Sequence, residues 1–437
     1  MSGISFSGRK LVFYQSEMPM AALIPALSNL MSPLRPRDPE EHHRAATPLE
    51  LLFDLVSVIA IASAAVGLHH GLSQGHALEA TITFGMAFFA VWWAWMNFTW
   101  FASAYDNDDT TYRLLTMVIM AGSLVMAAGL PSLFSAAPDF TTVIIGYVVM
   151  RIAMVVLWLR AGCADTAHRK SAVAYAIGIA LVQLYWVCFM LVQPLATGIS
   201  YGMWVIGVLL EISVPAIAES LTSSTPWHRH HIMERYGLLN IIVLGETLLA
   251  GTLALRETVE HFDIMLVHTA LSALVIVFAL WWVYFLPEEH LPTRSLRRAL
   301  VWGYGHFFIF ASGAAVGAGF AALVDIITDH SKVSLIAGDY GVAIPVAAYF
   351  LSLWAVRDRY TCKGACMAVL PVFALLVLVA PAIGLGLEGV AGAAALGAVV
   401  RSRLAQPAPV ARESAVVKPA SVKKMSKTKL RGTGKRR

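Results

Sequence analysis

The chain has 437 residues, 58% of them hydrophobic and only 14% charged. About a quarter of the residues of a soluble domain are charged, so this balance excludes an ordinary soluble fold. The apolar residues fall in runs of roughly 18–25, the length that crosses about 30 Å of hydrocarbon, and the chain reads as an all-α polytopic membrane protein.

Residues 1–46 contain no predicted span. Glu17 and Pro19 interrupt the apolar stretch that includes "MAALIPALSNLM", so a cleaved signal peptide is not expected, and the segment reads as a cytoplasmic N-terminal region. Helices are predicted at 48–69, 77–104, 113–134, 140–160, 171–192 and 200–221, forming a first half at 47–221. A second six follow at 232–254, 262–286, 297–323, 336–356, 364–384 and 386–401, forming a second half at 222–402. Residues 403–437 are basic, Ser/Thr-containing and poor in large apolar side chains, the composition of a disordered cytoplasmic tail able to meet anionic lipid.

The first predicted helix has a marked start. Thr47 can cap, Pro48 suits the first helical position, and Glu50 completes a Thr-x-x-Glu capping box. Glu50 is therefore expected at the wetter end of the helix, whereas Asp54, one turn deeper, has no such role.

With the N-terminus inside, the inner loops carry Arg113, Arg160, Arg169, Lys170, Arg229, Arg235, Arg294, Arg297, Arg298, Arg357, Arg359 and Lys363. The outer loops carry Arg256 and Lys332. Lys and Arg accumulate on the cytoplasmic side, which places both termini there.

The halves resemble each other as two parallel six-helix repeats. Glu50 to Gly67 and Glu234 to Gly251 are both apolar segments that open on an acid, and Arg113 matches Arg297 at the same offset. Trp92-Trp93 answers Trp281-Trp282, and Leu157-Trp158 answers Leu353-Trp354.

Charges deep in a bilayer are costly and usually face a bundle interior or a cavity. Counting rise per residue puts Asp54 roughly 10 Å deep, Arg151 and Glu211 roughly 14–15 Å, and Glu246 roughly 18–20 Å. His306, Asn97 and Asn240 fall near the same layer. These seven residues form a candidate substrate or proton/cation pathway, with Arg151 as the deep cation and a natural partner for Asp54. A carboxylate without a cation in low dielectric tends to hold a proton or an ion. The bland alternative is a set of charge pairs that hold helices together, and a satisfied core histidine is the bland reading of His306.

At the inner face, "YDNDD" (Tyr105, Asp106, Asp108 and Asp109 among them) precedes the positive end of the third helix, where negative charge is favourable. "PWHRHHIMERYG" precedes the seventh. His230 and His231 stand at helical spacing from Glu234, beside Arg235, and a solvated interfacial cluster is expected there rather than a metal site. Trp100 fits an interfacial belt, and Trp92, Trp93 and Trp95 lie deeper. The four cysteines (Cys163, Cys188, Cys362 and Cys366) are too scattered for a disulfide framework. Neither a nucleotide-binding loop nor a nucleophile–base set stands out, so no enzyme, cofactor or resident metal is expected, and no nucleic-acid partner.

"ELLFDLVSVIAIA" (50–62), "WWAWMNFTWFASAYDNDD" (92–109) and "HHIMERYGLLNIIVLGETLLA" (230–250) together resemble the bacterial low temperature requirement protein A family, over about residues 45 to 400. The resemblance implies a multi-pass protein of the bacterial cytoplasmic membrane with a role in growth in the cold. It marks Glu50, Asp54, Tyr105, Asp106, Asp109, Glu234, Arg235, Gly237, Gly245 and Glu246 as motif positions. Ser57 stands where the family pattern implies a larger residue. The function expected is proton- or cation-coupled secondary transport of an unknown small solute or ion. The alternative is a non-transporting membrane sensor or assembly factor supporting growth at low temperature.

Overall fold

The computed structural model describes residues 33–42, 44–221, 224–260, 263–286, 291 and 295–405, with backbone only at 250, 251 and 253–260. Most of the N-terminal segment, the tail beyond 405, and Arg294 lie outside the described residues, as does the side chain of Arg256. Among the described residues there are twelve long helices and no strand. These are α1 Pro48–Ser73, α2 Ala77–Tyr105, α3 Thr110–Leu133, α4 Thr141–Ala164, α5 Arg169–Leu191, α6 Thr197–Ser220, α7 Arg229–Glu260, α8 Ile264–Phe285, α9 Leu296–Ile327, α10 Leu335–Leu353, α11 Val369–Ala382 and α12 Gly386–Leu404. A π turn at Trp354–Asp358 follows α10, and a 3-10 turn at Gly364–Ala368 leads into α11.

Local chemistry explains the starts. The capping box forms in full: Thr47 Oγ1 accepts from the Glu50 N–H, and the Glu50 carboxylate accepts from the Thr47 N–H. Asp109 caps α3 by accepting from the Tyr112 N–H at 2.8 Å, and Asp263 caps α8 through the Met265 N–H. The largest departure from the sequence expectation is α7, which begins at Arg229. His230 and His231, expected ahead of the helix, therefore belong to its first turn, with Glu234 and Arg235 in its second.

Among the described residues, ten helical segments are long and apolar enough to cross a membrane. Neither α7, which opens on "RHHIMER", nor the Gly/Ala-rich α12 is among them. The others are apolar on all sides, as spanning helices are, and large side chains such as Leu51, Leu52, Leu55 and Ile59 of α1 face outward. This is a multi-pass membrane protein.

Within each half the packing repeats. The first helix packs on the second and third, the third on the fourth, the fourth on the fifth and the fifth on the sixth. The third and fourth helices meet most closely, and glycine permits it both times. A Cβ at Gly146 would lie 2.5 Å from the Met126 nitrogen, and one at Gly319 would overlap the Gly341 carbonyl. The tryptophan correspondence is weaker than the spacing suggests. Trp92 and Trp93 are buried, whereas Trp281 and Trp282 face outward.

Contacts also sort the bundle ends. The starts of α1, α3, α5, α7 and α9 gather with the ends of α2, α4, α6, α10 and α12. This end is joined by Arg160–Asp109, Tyr175–Glu219, His231–Glu50, Trp100–Tyr236, Arg298–Val356 and Arg401–Asp358. At the opposite end, His69 and Ser73 of α1 bond Asp325 of α9, and His268 of α8 bonds Glu388 of α12.

Candidate functional site

Two fully buried ionic clusters flank α2, the helix with the longest run of buried residues in the first half. The first joins α1 to α7. Glu50 and Asp54 are one turn apart on α1, and His231 and Arg235 are one turn apart on α7, so two matched pairs of opposite charge face each other. His231 Nε2 and Arg235 Nη1 each lie 3.0 Å from Glu50 Oε1, and Arg235 Nη2 lies 2.5 Å from Asp54 Oδ1. Trp95 of α2 donates its indole N–H to the same Asp54 oxygen at 2.6 Å. None of these four ionisable side chains is exposed. Asp54 Oδ2 and His231 Nδ1 are buried with no hydrogen-bond partner. Ser57, which donates to the Phe53 carbonyl, packs in the same wall of α1.

The second cluster joins α4 to α6. Arg151 Nη2 lies 3.1 Å from Glu211 Oε2, and Tyr147 donates to Glu211 Oε1 at 2.7 Å while accepting from Arg151. Trp93 of α2 and Trp186 of α5 donate to the two Glu211 oxygens at 2.8 and 3.1 Å. Trp93 and Trp95 are two residues apart, so they point to nearly opposite sides of α2, and each holds one acid.

Several expectations are thereby corrected. Asp54 pairs with Arg235 and not with Arg151, because α1 packs on α7 while α4 packs on α3 and α5. Glu50 makes the capping bond but is not at a wet end: α7 covers it completely. Arg235, expected among solvated interfacial groups, is a deep cation. Glu246 joins neither cluster. It is half-buried beside Gly245, where an added Cβ would have no neighbour within 4 Å. His306 is a satisfied core histidine, its Nδ1 bonded to the Trp302 carbonyl at 2.7 Å and its Nε2 3.2 Å from Tyr284 Oη. Asn97 donates to the Trp93 carbonyl, and Asn240 accepts from Tyr349. Trp100, half-buried near the end of α2, donates to Tyr236 Oη and packs on Trp227.

The inner-face residues divide further. Tyr105 donates to Asp165, Asp108 pairs with Arg113, and Asp109 pairs with Arg160. Asp106 is buried, accepts from the Asp108 N–H, and has its carboxyl pushed up to about 6 by burial. His230 contacts Arg229, and Glu234 accepts from the Ala46 N–H, so the two make no shared site. Among the described residues no three His, Cys, Asp or Glu side chains are grouped to hold a metal ion.

Sequence reasoning missed the Glu50/Asp54–His231/Arg235 match. Its signal was present: two i,i+4 pairs of opposite sign, each in the opening turns of the first helix of a half.

Fold and site together define a polytopic α-helical membrane protein whose interior is cross-linked by ion pairs. The sequence matches the family model for the bacterial low temperature requirement A protein (LtrA) over residues 45–402, and the chain belongs to that family. It is 28% identical over 247 residues to uncharacterized protein RA0937 of Rhizobium meliloti (strain 1021), covering 54% of this chain and 57% of that protein. The match thus spans little more than half the length of the curated relative. No solved structure matches.

Proposed function

We propose that the protein is a proton-coupled secondary transporter of the bacterial cytoplasmic membrane, a carrier and not an enzyme, in which the Glu50–Asp54–His231–Arg235 cluster is the proton site. One observation carries the reading. Two carboxylates make ion pairs with one permanent cation and one histidine, all fully buried, and the buried Arg44 and Asp106 beside Glu50 offset each other, so the cluster is neutral only when it holds one extra proton. A proton could rest on the unpartnered Asp54 Oδ2 or on His231. Either location changes the strength of the tie between α1 and α7, and so links protonation to the seam between the halves.

The same proposal takes the halves as parallel repeats, which the recurring packing order and the paired glycine crossings support. It also takes both termini as cytoplasmic. In support, Arg44, Arg113, Arg160, Arg229, Arg298 and Arg401 lie at one end of the bundle, and Lys332 lies at the other. The basic tail would then face anionic lipid. The complete pairing of Glu211 favours a second reading, a rigid sensor or assembly factor that moves no solute.

The experiment is a solute screen in proteoliposomes carrying a pH gradient and a lumenal pH dye. Solute-dependent proton flux that is lost in Asp54→Asn, with the protein still monodisperse, supports transport. Flux unchanged in Asp54→Asn overturns the assignment of the proton site, and no flux with any solute favours the sensor.

A further inference from the structure

Near the end of the bundle where α1 begins, α2, α4, α5, α6, α9 and the 224–227 linker enclose a cavity of about 40 Å³. Its walls are largely aromatic: Trp100, Trp158, Tyr175, Trp227 and Tyr304 all line it. Glu219 of α6 lines it too, 93% buried by its 7% exposure. Among the described residues no Lys, Arg or His makes an ion pair with this carboxylate. Among the described residues it accepts four hydrogen bonds, all from neutral donors. Oε1 accepts from Tyr175 Oη at 2.9 Å and Thr225 Oγ1 at 2.6 Å, and Oε2 accepts from the Thr225 N–H at 2.8 Å and Ser224 Oγ at 3.0 Å. Glu50, Asp54, Glu211 and Asp358, by contrast, each have an Arg.

The rings are held in place before any ligand arrives. Trp158 stacks on Tyr175 with centroids 4.0 Å apart, and Trp100 meets Trp227 edge to face at 5.0 Å. The Trp100 and Trp227 N–H groups are spent on Tyr236 and Ser224, and the Tyr304 hydroxyl on the Ile212 carbonyl.

We infer that this cavity binds a small methylated ammonium ion. A buried carboxylate with no ion pair among the described residues sits in the wall, where it tends to hold a proton or an ion, and aromatic faces attract cations by their quadrupoles. Glu219 has both oxygens saturated, so it offers field and not free lone pairs. That disfavours a cation that must be hydrogen-bonded, such as ammonium itself, and suits one whose N–H groups are replaced by methyls. A volume of about 40 Å³ holds roughly three to four water-sized groups, which sets the scale at di- to trimethylammonium. The site lies on the seam between the halves, because Leu296, Ala299, Leu300, Gly303 and Tyr304 of α9 complete it. The inference is independent of the transport reading, since a sensor would hold the same ion.

The test is equilibrium binding of radiolabelled trimethylammonium to the purified full-length protein in nanodiscs, with ammonium, sodium and neutral 2-propanol as competitors. Saturable binding is expected, displaced by unlabelled trimethylammonium at least tenfold better than by ammonium, sodium or 2-propanol. Glu219→Gln should lose it by at least tenfold. If that variant does not fold, Ala299→Val, which grows a side chain into the wall, serves in its place. Asp54→Asn should bind as the wild type does, and this separates failure here from failure of the proton site. Absence of saturable binding, displacement by 2-propanol equal to that by unlabelled trimethylammonium, or full binding in a folded Glu219→Gln or Ala299→Val would overturn the inference.

Discussion

Replacing Arg235 by Gln leaves two buried carboxylates without a cation, and the expected cost is about 3–5 kcal/mol. Adding Asp54→Asn to that variant removes one of the stranded charges. The double variant should therefore melt at a higher temperature in detergent than Arg235→Gln alone; a lower melting temperature would mean Arg235 does not neutralise Asp54. Glu50→Gln should also be clearly destabilising, by more than the roughly 1 kcal/mol of a lost cap, because His231 and Arg235 lose their shared acceptor charge. A different carboxylate gives a pH handle. Burial raises Asp106 from 3.8 to about 6, so between those values the folded protein binds more protons than the unfolded chain. Its contribution is thus unfavourable above about pH 6, and the penalty is relieved as pH falls towards 4. Asp106→Asn keeps the acceptor for the Asp108 N–H and should gain roughly 3 kcal/mol at pH 7.5 but only a few tenths near pH 4. Melting curves of both proteins across that range check the sign.

At the scale of helices, the glycine crossings can be tested against each other. Gly319→Ala places a methyl on the Gly341 backbone, which cannot turn aside as a side chain can. Overpacking of that kind costs about 1–3 kcal/mol. Gly85→Ala meets nothing within 4 Å and should be neutral or slightly stabilising. Equal melting temperatures for the two variants would refute the close approach of α9 and α10. The helices themselves were legible in the chain, because runs of apolar residues bounded by caps, Gly and charge have few other solutions in lipid. The partners of buried charges were not. Helical spacing places Glu50 and Asp54 on one face but says nothing about which of the other helices that face meets. The depth count gave Arg151 to Asp54, since both seemed to share a layer. Arg235 is read as interfacial because "HHIMERYG", rich in charge, resembles a solvated approach to a helix, whereas α1 covers its turns. The cage around Glu219 was invisible for the same reason, being assembled from six separate stretches of chain.

For the molecule as a whole, the arrangement of ends predicts topology. Reporter fusions after Gln193, at the turn between α5 and α6, and after Leu404, at the end of α12, should report opposite sides of the membrane. Identical reports would mean that α7 or α12 does not cross. The even number of crossings also returns the start of α7 to the start of α1, which is how Arg235 comes to meet its acids.

That meeting point would act as a fulcrum if the halves moved. Sliding one half past the other at this end would break two ion pairs that no water can replace, whereas rotation about Arg235 breaks none. From Asp54 to the far end of α1 is 19 residues, a lever arm of roughly 28 Å. A tilt of about 10° would move the distant ends of the halves apart by about 5 Å, enough for a water molecule or a small solute to pass, while Glu50 and His231 shifted by a fraction of that. The His69–Asp325 contact between α1 and α9 at the far end is partly exposed and depends on a histidine, so the weaker tie lies where the larger excursion would occur. Motion in this bundle would therefore be a swing and not a slide, with its amplitude set by distance from one arginine.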